Sequence, residues 1–158
     1  LLPILYGSDE KCPVGRAVAT SPGWGSELSK EYECVVHTVP PFYHHSPDVN
    51  PEEGLSSCYK EALPLGFREG AKKAGLLHVS DVIRVASPLI GAGCRGFPGR
   101  VAIKVAAEES VRWRDNEGAG GEVLAFGIPD RVIADELVNE IEQEDRKRRK
   151  ALRETNSF

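Results

Sequence analysis

Apolar runs that suit β-strands alternate along this chain with segments in which apolar residues recur at helical spacing. Three runs rich in aliphatic residues predict strands, at Tyr32–Val39, Val82–Ala86 and Val123–Phe126. Strands that alternate with helices are typical of an α/β fold, in which helices cover a largely buried sheet. We therefore expect a layered α/β domain.

The first predicted helix lies between the first two strands. Asn50 is a suitable N-cap and Pro51 a suitable first residue. Pro64 lacks a backbone donor, so we expect the helix to kink or to split into two there. Four apolar residues at helical spacing would face the sheet: Leu55, Tyr59, Leu63 and Phe67.

Two further helices are predicted. One follows Pro98 and carries an apolar stripe, and another begins near Asp130. The polar segments Thr38–Asn50 and Asp115–Gly121 read as surface loops. The inner faces of the two helices would consist of Ala102, Val105, Ala106 and Trp113 in the first, and Ile133, Leu137 and Ile141 in the second.

Composition and charge argue against several classes of protein, including membrane-spanning and secreted ones. The 158 residues, 41% apolar, suffice for one globular core, and a net charge of −4 provides no overall field for nucleic acid or an anionic membrane. No apolar run is long enough to span a bilayer, and Leu1–Tyr6 lacks the features of a secretory signal. We expect a soluble protein of the cytoplasm or nucleus, in which any anionic ligand is held locally.

Cysteine spacing and the end of the chain add two expectations. The four cysteines form no C-x-x-C pair, so we expect free thiols and no metal site. The apolar period lapses after residue 143, which divides the chain into a domain at 1–143 and a basic helical extension or tail at 144–158. The basic run Arg146–Lys150 is either a solvated surface, a nuclear localisation signal or a nucleic-acid contact.

The segment Ser87–Pro98 carries the most specific chemistry. A strand ends, a glycine-rich loop follows, and a helix begins after Pro98. Glycines allow backbone N–H groups to approach a ligand, and a helix N-terminus adds unpaired donors and a positive dipole end, so the segment is suited to bind phosphate. Phe97 and Pro98 occupy the positions where a P-loop needs Lys and Ser or Thr, which argues against an NTPase.

Two other interpretations of this loop remain. It satisfies the G-x-G-x-x-G dinucleotide pattern, but only one convincing strand follows it, whereas a Rossmann fold needs several more βα units. It could also be a turn that merely lets strand and helix pack closely.

Together with its neighbours, the loop resembles the second phosphate-binding loop of macro domains. The residues that fit that pattern are Pro88, Ile90, Gly93, Gly96, Phe97 and Pro98. Three further blocks resemble the family in the same order, at Cys12–Thr20, Val36–Val39 and Leu55–Leu63. The resemblance covers roughly Cys12–Ile141.

This resemblance implies a three-layer α/β/α sandwich with a mixed, mostly parallel sheet. It implies binding of ADP-ribose or mono-ADP-ribosylated proteins, without a cofactor or a metal. Gly91–Gly96 would cradle the diphosphate and distal ribose, and Phe126 would stack on adenine or belong to the core. The implied ligand-binding residues are Pro88, Ile90, Gly91, Ala92, Gly93, Cys94, Arg95, Gly96, Phe97 and Phe126. Arg95 would clamp a phosphate or remain solvated.

The chain also departs from the family pattern. The two strands and helix with which macro domains begin, including an Asn-Ala-Ala-Asn turn and a first glycine-rich loop, have no counterpart here, so the domain looks N-terminally incomplete. Pro40 replaces the glycine that follows His-Thr-Val. Since that first loop often supplies the group used in hydrolysis, the catalytic residues are unknown. An ADP-ribosyl or O-acetyl-ADP-ribose hydrolase and a degenerate scaffold both remain alternatives.

Four other residues have side chains that could take part in chemistry. His37 lies in a valine-rich strand and is expected to be a hydrogen-bonded core histidine. His44 and His45 lie near Asp48 in a proline-rich loop, and we expect them to be solvated. Cys94 lies in the glycine loop near a helix N-terminus, but the sequence identifies no base that would activate it.

Overall fold

The computed structural model describes residues 12–44, 50–74, 82–118 and 122–155. In chain order, the elements are β1 (Ala17–Thr20), α1 (Leu28–Glu31), β2 (Val35–Thr38), α2 (Pro51–Ala74), β3 (Ile83–Ser87), α3 (Gly99–Glu117), β4 (Glu122–Phe126) and α4 (Arg131–Thr155). The α/β class is confirmed, and all three predicted strands are present as β2, β3 and β4.

The strands form two separate pairs. β1 is antiparallel to β2, with Ala17 opposite Thr38 and Thr20 opposite Val35. β3 is parallel to β4, with Ser87 opposite Phe126. Parallel and antiparallel pairing therefore both occur, as expected of a mixed sheet. The strand β1 and the short helix α1 had not been predicted as elements.

Helix α2 begins where its cap predicts. The Glu52 N–H donates to the Asn50 side-chain oxygen at 3.1 Å. The expected split at Pro64 is wrong, because α2 continues through it to Ala74, and the alternative, a kink there, stays a prediction. Proline removes one helical hydrogen bond, and the burial of Leu63 and Phe67 on either side (3% and 5% exposed) offsets that loss.

The starts of α3 and α4 also agree with the sequence. Asp130 caps α4 by accepting N–H groups of Val132 and Ile133 at 2.8 and 3.2 Å. Helix α3 continues to Glu117, so the first three residues of the predicted loop Asp115–Gly121 are helical instead. Residues 119–121 lie outside the described ranges.

The core lies where α2, α3 and α4 meet the parallel pair. Phe67 of α2 stacks on Trp113 of α3, with ring centres 4.1 Å apart. The predicted inner faces supply the buried residues of this core, which include Leu55, Tyr59, Leu63, Ala102, Val105, Ala106 and Leu137. The apolar periods in the sequence therefore identified the inner faces of all three long helices.

Charged side chains join α4 to α3. Arg114 bridges to Asp145 at 2.6 Å. Glu144, which is buried, accepts hydrogen bonds from Arg148 at 2.7 Å and Lys147 at 3.1 Å. The basic run Arg146–Lys150 lies within α4, which is helical without interruption to Thr155.

All four cysteines are free thiols, as predicted. Across the described ranges, none of the helices has both the length and the apolarity needed to cross a bilayer.

Candidate functional site

The glycine loop follows β3 and turns sharply at two glycines. Gly91 has φ +86° and Gly96 has φ +73°, values that favour glycine. A Cβ atom on Gly91 would lie 3.0 Å from the Phe97 ring and 3.3 Å from the Leu55 side chain. The loop is therefore folded tightly over the core at Gly91.

Several amides of this loop are bonded within the protein. Gly96 donates to the Gly93 carbonyl at 3.0 Å, and Phe97 donates to the Gly91 carbonyl at 3.3 Å. Just before the turn, the Ile90 N–H donates to the buried Tyr59 hydroxyl oxygen at 3.1 Å. Burial raises the pKa of Tyr59, so this hydroxyl stays neutral. These bonds hold the loop in one conformation.

Four other amides of the loop have no such bond. Among the described residues, none accepts a hydrogen bond from the N–H groups of Gly91, Gly93, Cys94 or Arg95. The same four residues line a cavity of about 490 Å³, called here the loop cavity. The donors without a protein partner thus occur on the residues that border an open space.

The rest of the loop cavity is suited to an anion. Its walls come from the end of β2 with Pro40, from Tyr59 and its neighbours on α2, and from Val85–Ile90. No carboxylate occurs among the described residues that line it, whereas Arg95 contributes a positive charge. A negatively charged ligand would therefore meet donors and a cation there without like-charge repulsion.

Arg95 is held by a segment that the sequence analysis did not connect with the site. Its guanidinium lies 4.3 Å from the centre of the Phe42 ring, and its carbonyl accepts the Tyr43 N–H at 3.0 Å. The Tyr43 ring lies 5.2 Å from that of Phe97. Two adjacent aromatics after Pro40 and Pro41 were visible in the sequence, but nothing local indicated that they would meet the glycine loop.

Of the other predicted ligand-binding residues, Phe126 lies apart from the cavity walls. It is opposite Ser87 in the parallel pair and packs, half-buried, against the core. The Ala92 N–H donates to the Leu89 carbonyl at 3.4 Å. Pro88 is exposed and lines the cavity with Ile90. The roles assigned to these residues in ligand binding stay predictions.

The histidines take different positions. His37 is hydrogen-bonded as expected, with its Nε2 2.9 Å from the Thr20 hydroxyl, but it is half-buried and lines the loop cavity instead of lying in the core. His44 is exposed and lies edge-on to Tyr43. His45 and Asp48 fall outside the described residues. Within the described ranges, no three His, Cys, Asp or Glu side chains cluster as a metal site requires.

A comparison with protein families identifies the domain. The model of the macro domain family matches residues 5–106. This chain belongs to the macro domain family. A macro domain-containing protein of Listeria monocytogenes is 33% identical to it over 106 residues, which are 67% of this chain and 51% of that protein. This macro domain chain thus spans about half the length of the curated relatives that it matches.

Solved macro domains share its fold. A mutant of the Oceanobacillus iheyensis macrodomain with ADPR superposes with a TM-score of 0.68 at 22% identity, over 90% of this chain and 66% of that one. The same macrodomain with ADP gives a TM-score of 0.65 at 22% identity, over 91% and 65% of the two chains. About a third of the Oceanobacillus chain therefore has no counterpart in this macro domain.

Proposed function

We propose that this macro domain binds ADP-ribose, free or linked to protein, with the diphosphate at the glycine loop. The proposal rests on one observation: backbone N–H groups that donate to no described acceptor belong to residues that border the loop cavity. The N–H groups of Gly91, Gly93, Cys94 and Arg95 have no acceptor among the described residues, and all four residues border the loop cavity. Backbone N–H groups without a protein acceptor beside an open space are a recurring way to bind phosphate oxygens.

The size and charge of the cavity support a nucleotide diphosphate. Its volume of about 490 Å³ falls in the range of about 300–1,000 Å³ that is typical of small-ligand sites. Arg95 is the charged donor on its wall, and a charge-assisted hydrogen bond to phosphate is stronger than a neutral one. The apolar walls formed by Leu63 and Val85 suit the uncharged parts of such a ligand.

The ligands of the structural neighbours support the same assignment. The Oceanobacillus iheyensis macrodomain is described with ADPR and with ADP. ADPR, which is ADP-ribose, and ADP share a diphosphate, the group that the glycine loop is suited to hold. Adenosine alone lacks it, so a ligand series separates diphosphate recognition from recognition of adenine.

Isothermal titration calorimetry with ADP-ribose, ADP and adenosine tests the proposal. We expect heat and a thermal shift with both diphosphates and much weaker binding of adenosine. Absence of both signals with ADP-ribose at millimolar concentration would overturn the proposal, since any ligand that binds the native state stabilises it.

A pair of glycine variants tests the location of the site. Gly93 and Gly99 both have open space around an added Cβ and neither has a positive φ, but only Gly93 lines the cavity. Gly93→Leu should lower ADP-ribose affinity at least ~5-fold by occupying the ligand space, because misfit in a packed site costs about 1–3 kcal/mol. Gly99→Leu should bind as the unmodified protein does. Equal affinity of the two variants would contradict the assignment.

A further inference from the structure

The segment that follows β2 lies against the glycine loop. It reads Pro40-Pro41-Phe42-Tyr43, and we call it the aromatic strap. Two contacts fix its far end, since the Tyr43 N–H donates to the Arg95 carbonyl at 3.0 Å and the Tyr43 ring lies 5.2 Å from the Phe97 ring. The strap and the glycine loop are therefore joined through both backbone and side chains.

Two prolines make the aromatic strap stiff. A proline ring fixes φ at about −65°, so Pro40 and Pro41 leave the backbone before Phe42 little freedom. Pro41 is buried, and Pro40 lines the loop cavity. The Phe42 ring is thus held in place before any ligand binds, which lowers the entropy that binding must spend on ordering this part of the site.

The contact between Phe42 and Arg95 holds a charge without using its donors. The guanidinium carbon of Arg95 lies 4.3 Å from the centre of the Phe42 ring. A guanidinium is flat, so an aromatic ring can attract it through its face while its N–H groups, which lie in its plane, stay free to bind an oxyanion. A carboxylate partner would instead occupy those N–H groups and neutralise the charge.

The charge of Arg95 belongs to the loop cavity. Among the described residues that line the cavity, Arg95 is the one with a permanent charge. Burial raises the pKa of the Cys58 thiol in α2, and the positive charge of Arg95 is one of the groups that oppose this rise. The charge therefore acts as far as the helix that forms another wall of the cavity. Phe42 itself is not among the lining residues.

We infer that Phe42 is a positioning residue of the diphosphate site, which acts through Arg95 by holding its guanidinium at the loop cavity with the N–H groups free. This role rests on the proposed function. A second phosphate offers more charge and more acceptor oxygens to the guanidinium. The preference of the site for ADP over AMP therefore depends on Arg95, and through it on Phe42.

A double-mutant cycle with ADP-ribose, measured by calorimetry, tests the role of Phe42. Phe42→Leu should lower the affinity about 2- to 5-fold, because a cation–π contact at an exposed site is lost. In the Arg95→Gln background the same change should cost less than ~1.5-fold, since the contact is already absent. Equal losses in both backgrounds would overturn the inference, because Phe42 would then act independently of Arg95.

Two control variants separate positioning from general damage. Phe42→Tyr keeps an aromatic face and should bind ADP-ribose as the unmodified protein does. Tyr32→Leu removes an aromatic ring of similar exposure (48%, against 46% for Phe42) that does not line the loop cavity, and it should have no effect. Binding by Phe42→Tyr that is as weak as binding by Phe42→Leu would contradict the inference, and so would an equal loss in Tyr32→Leu.

Arg95→Lys tests the same contact with Phe42 unchanged. Lysine keeps the positive charge but lacks the flat group that rests on a ring and presents N–H groups from its edge. We expect Arg95→Lys and Phe42→Leu both to bind ADP more weakly and to show a smaller ratio of ADP to AMP affinity. A lysine variant with undiminished affinity and ratio would overturn the inference, even if Phe42→Leu did not fold.

The unmodified protein distinguishes the two levels of proposal. If it binds neither ADP-ribose nor ADP, the proposed function fails and the role of Phe42 fails with it. If it binds both, and Phe42→Leu and Arg95→Lys bind them equally well, only the positioning role fails.

Discussion

The guanidinium of Arg95 lies 4.3 Å above the Phe42 ring, where it borders the loop cavity without a carboxylate partner among the described residues. A cation over an aromatic face is attracted by the ring quadrupole, which is worth about 0.5–1 kcal/mol at an exposed site. Phe42 thus positions a charge at the proposed diphosphate site. Because none of the described carboxylates pairs with this charge, it is available to an anionic ligand.

We predict that Arg95→Gln lowers ADP-ribose affinity about 10-fold, since a hydrogen bond to a charged group contributes about 1.5–3 kcal/mol. Its binding should also depend less on salt than that of the unmodified protein. Calorimetry at two salt concentrations measures both effects. Arg131→Gln, the same change at an exposed position at the start of α4, is the control and should have no effect. Unchanged affinity of Arg95→Gln at low salt would remove Arg95 from the site.

Gly91 is predicted to be a loop glycine that folding requires, because it combines a positive φ with close packing. Gly91→Ala combines a positive φ with a Cβ only 3.0 Å from the Phe97 ring. We expect a loss of about 2–3 kcal/mol in the free energy of unfolding, measured by urea denaturation. Gly93→Ala has open space and no positive φ, so it should stay within about 0.5 kcal/mol of the unmodified protein. If both variants lost a similar amount of unfolding free energy, the positive φ and close packing of Gly91 would not explain the destabilisation.

Tyr59 is predicted to hold the start of the glycine loop. Tyr59→Phe keeps the buried ring but leaves the Ile90 N–H without its acceptor, at a cost of about 1–3 kcal/mol. Hydrogen exchange at Ile90 should become faster, which the loss of packing alone would not cause. Tyr43→Phe, at a half-buried tyrosine beside the same loop, should leave that exchange rate unchanged. Slow exchange at Ile90 in Tyr59→Phe would mean that the hydroxyl is dispensable.

The buried carboxylate of Glu144, in α4, is predicted to make the free energy of unfolding depend on pH in the acid range. Burial by itself would raise the pKa of Glu144, but hydrogen bonds and charges from Arg148 and Lys147 outweigh it, and the pKa is lowered from its usual value of 4.5. A carboxylate with a lowered folded-state pKa stabilises the fold above its unfolded-state pKa and loses that effect as pH falls through the folded-state value. The contribution of Glu144 should therefore be complete near neutral pH and decline below about pH 4.5.

Glu144→Gln measures this contribution. At pH 7 we expect a loss of about 1–3 kcal/mol in the free energy of unfolding, and the difference from the unmodified protein should shrink as the pH is lowered through the acid range. Glu142→Gln removes the same charge from an exposed position 3.7 Å from Arg146 and should change stability by less than about 0.5 kcal/mol. A difference that grew at low pH would contradict the assignment.

Elements with a strong local signal were predictable. The Asn50 and Asp130 caps and the inner faces of the long helices follow from residues close together in the sequence, where cap chemistry and apolar period act directly. Pro64 does not split α2, because the cost of proline is local whereas the compensation comes from burial against other elements. β1 was missed because four residues carry little periodicity and the strand depends on pairing with β2.

The candidate site was predictable to a similar degree. The glycine loop and the helix after it were evident from residue types, and so was their suitability for phosphate. The contact between Phe42 and Arg95 joins positions more than fifty residues apart, and no short-range pattern encodes it. The position of Phe126, which packs against the core away from the cavity walls, depends likewise on how β4 lies beside β3.

By itself, the sequence determined the alternation of strand and helix, the helix starts, and a glycine loop able to present N–H groups to an anion. These depend on backbone preferences and periodicity within a few residues. Only the tertiary structure decided which loop amides find no acceptor among the described residues, which aromatic ring supports Arg95, and that β2 and β3 both border the loop cavity. Those features depend on which distant segments pack together, and packing between distant segments is a property of the whole fold.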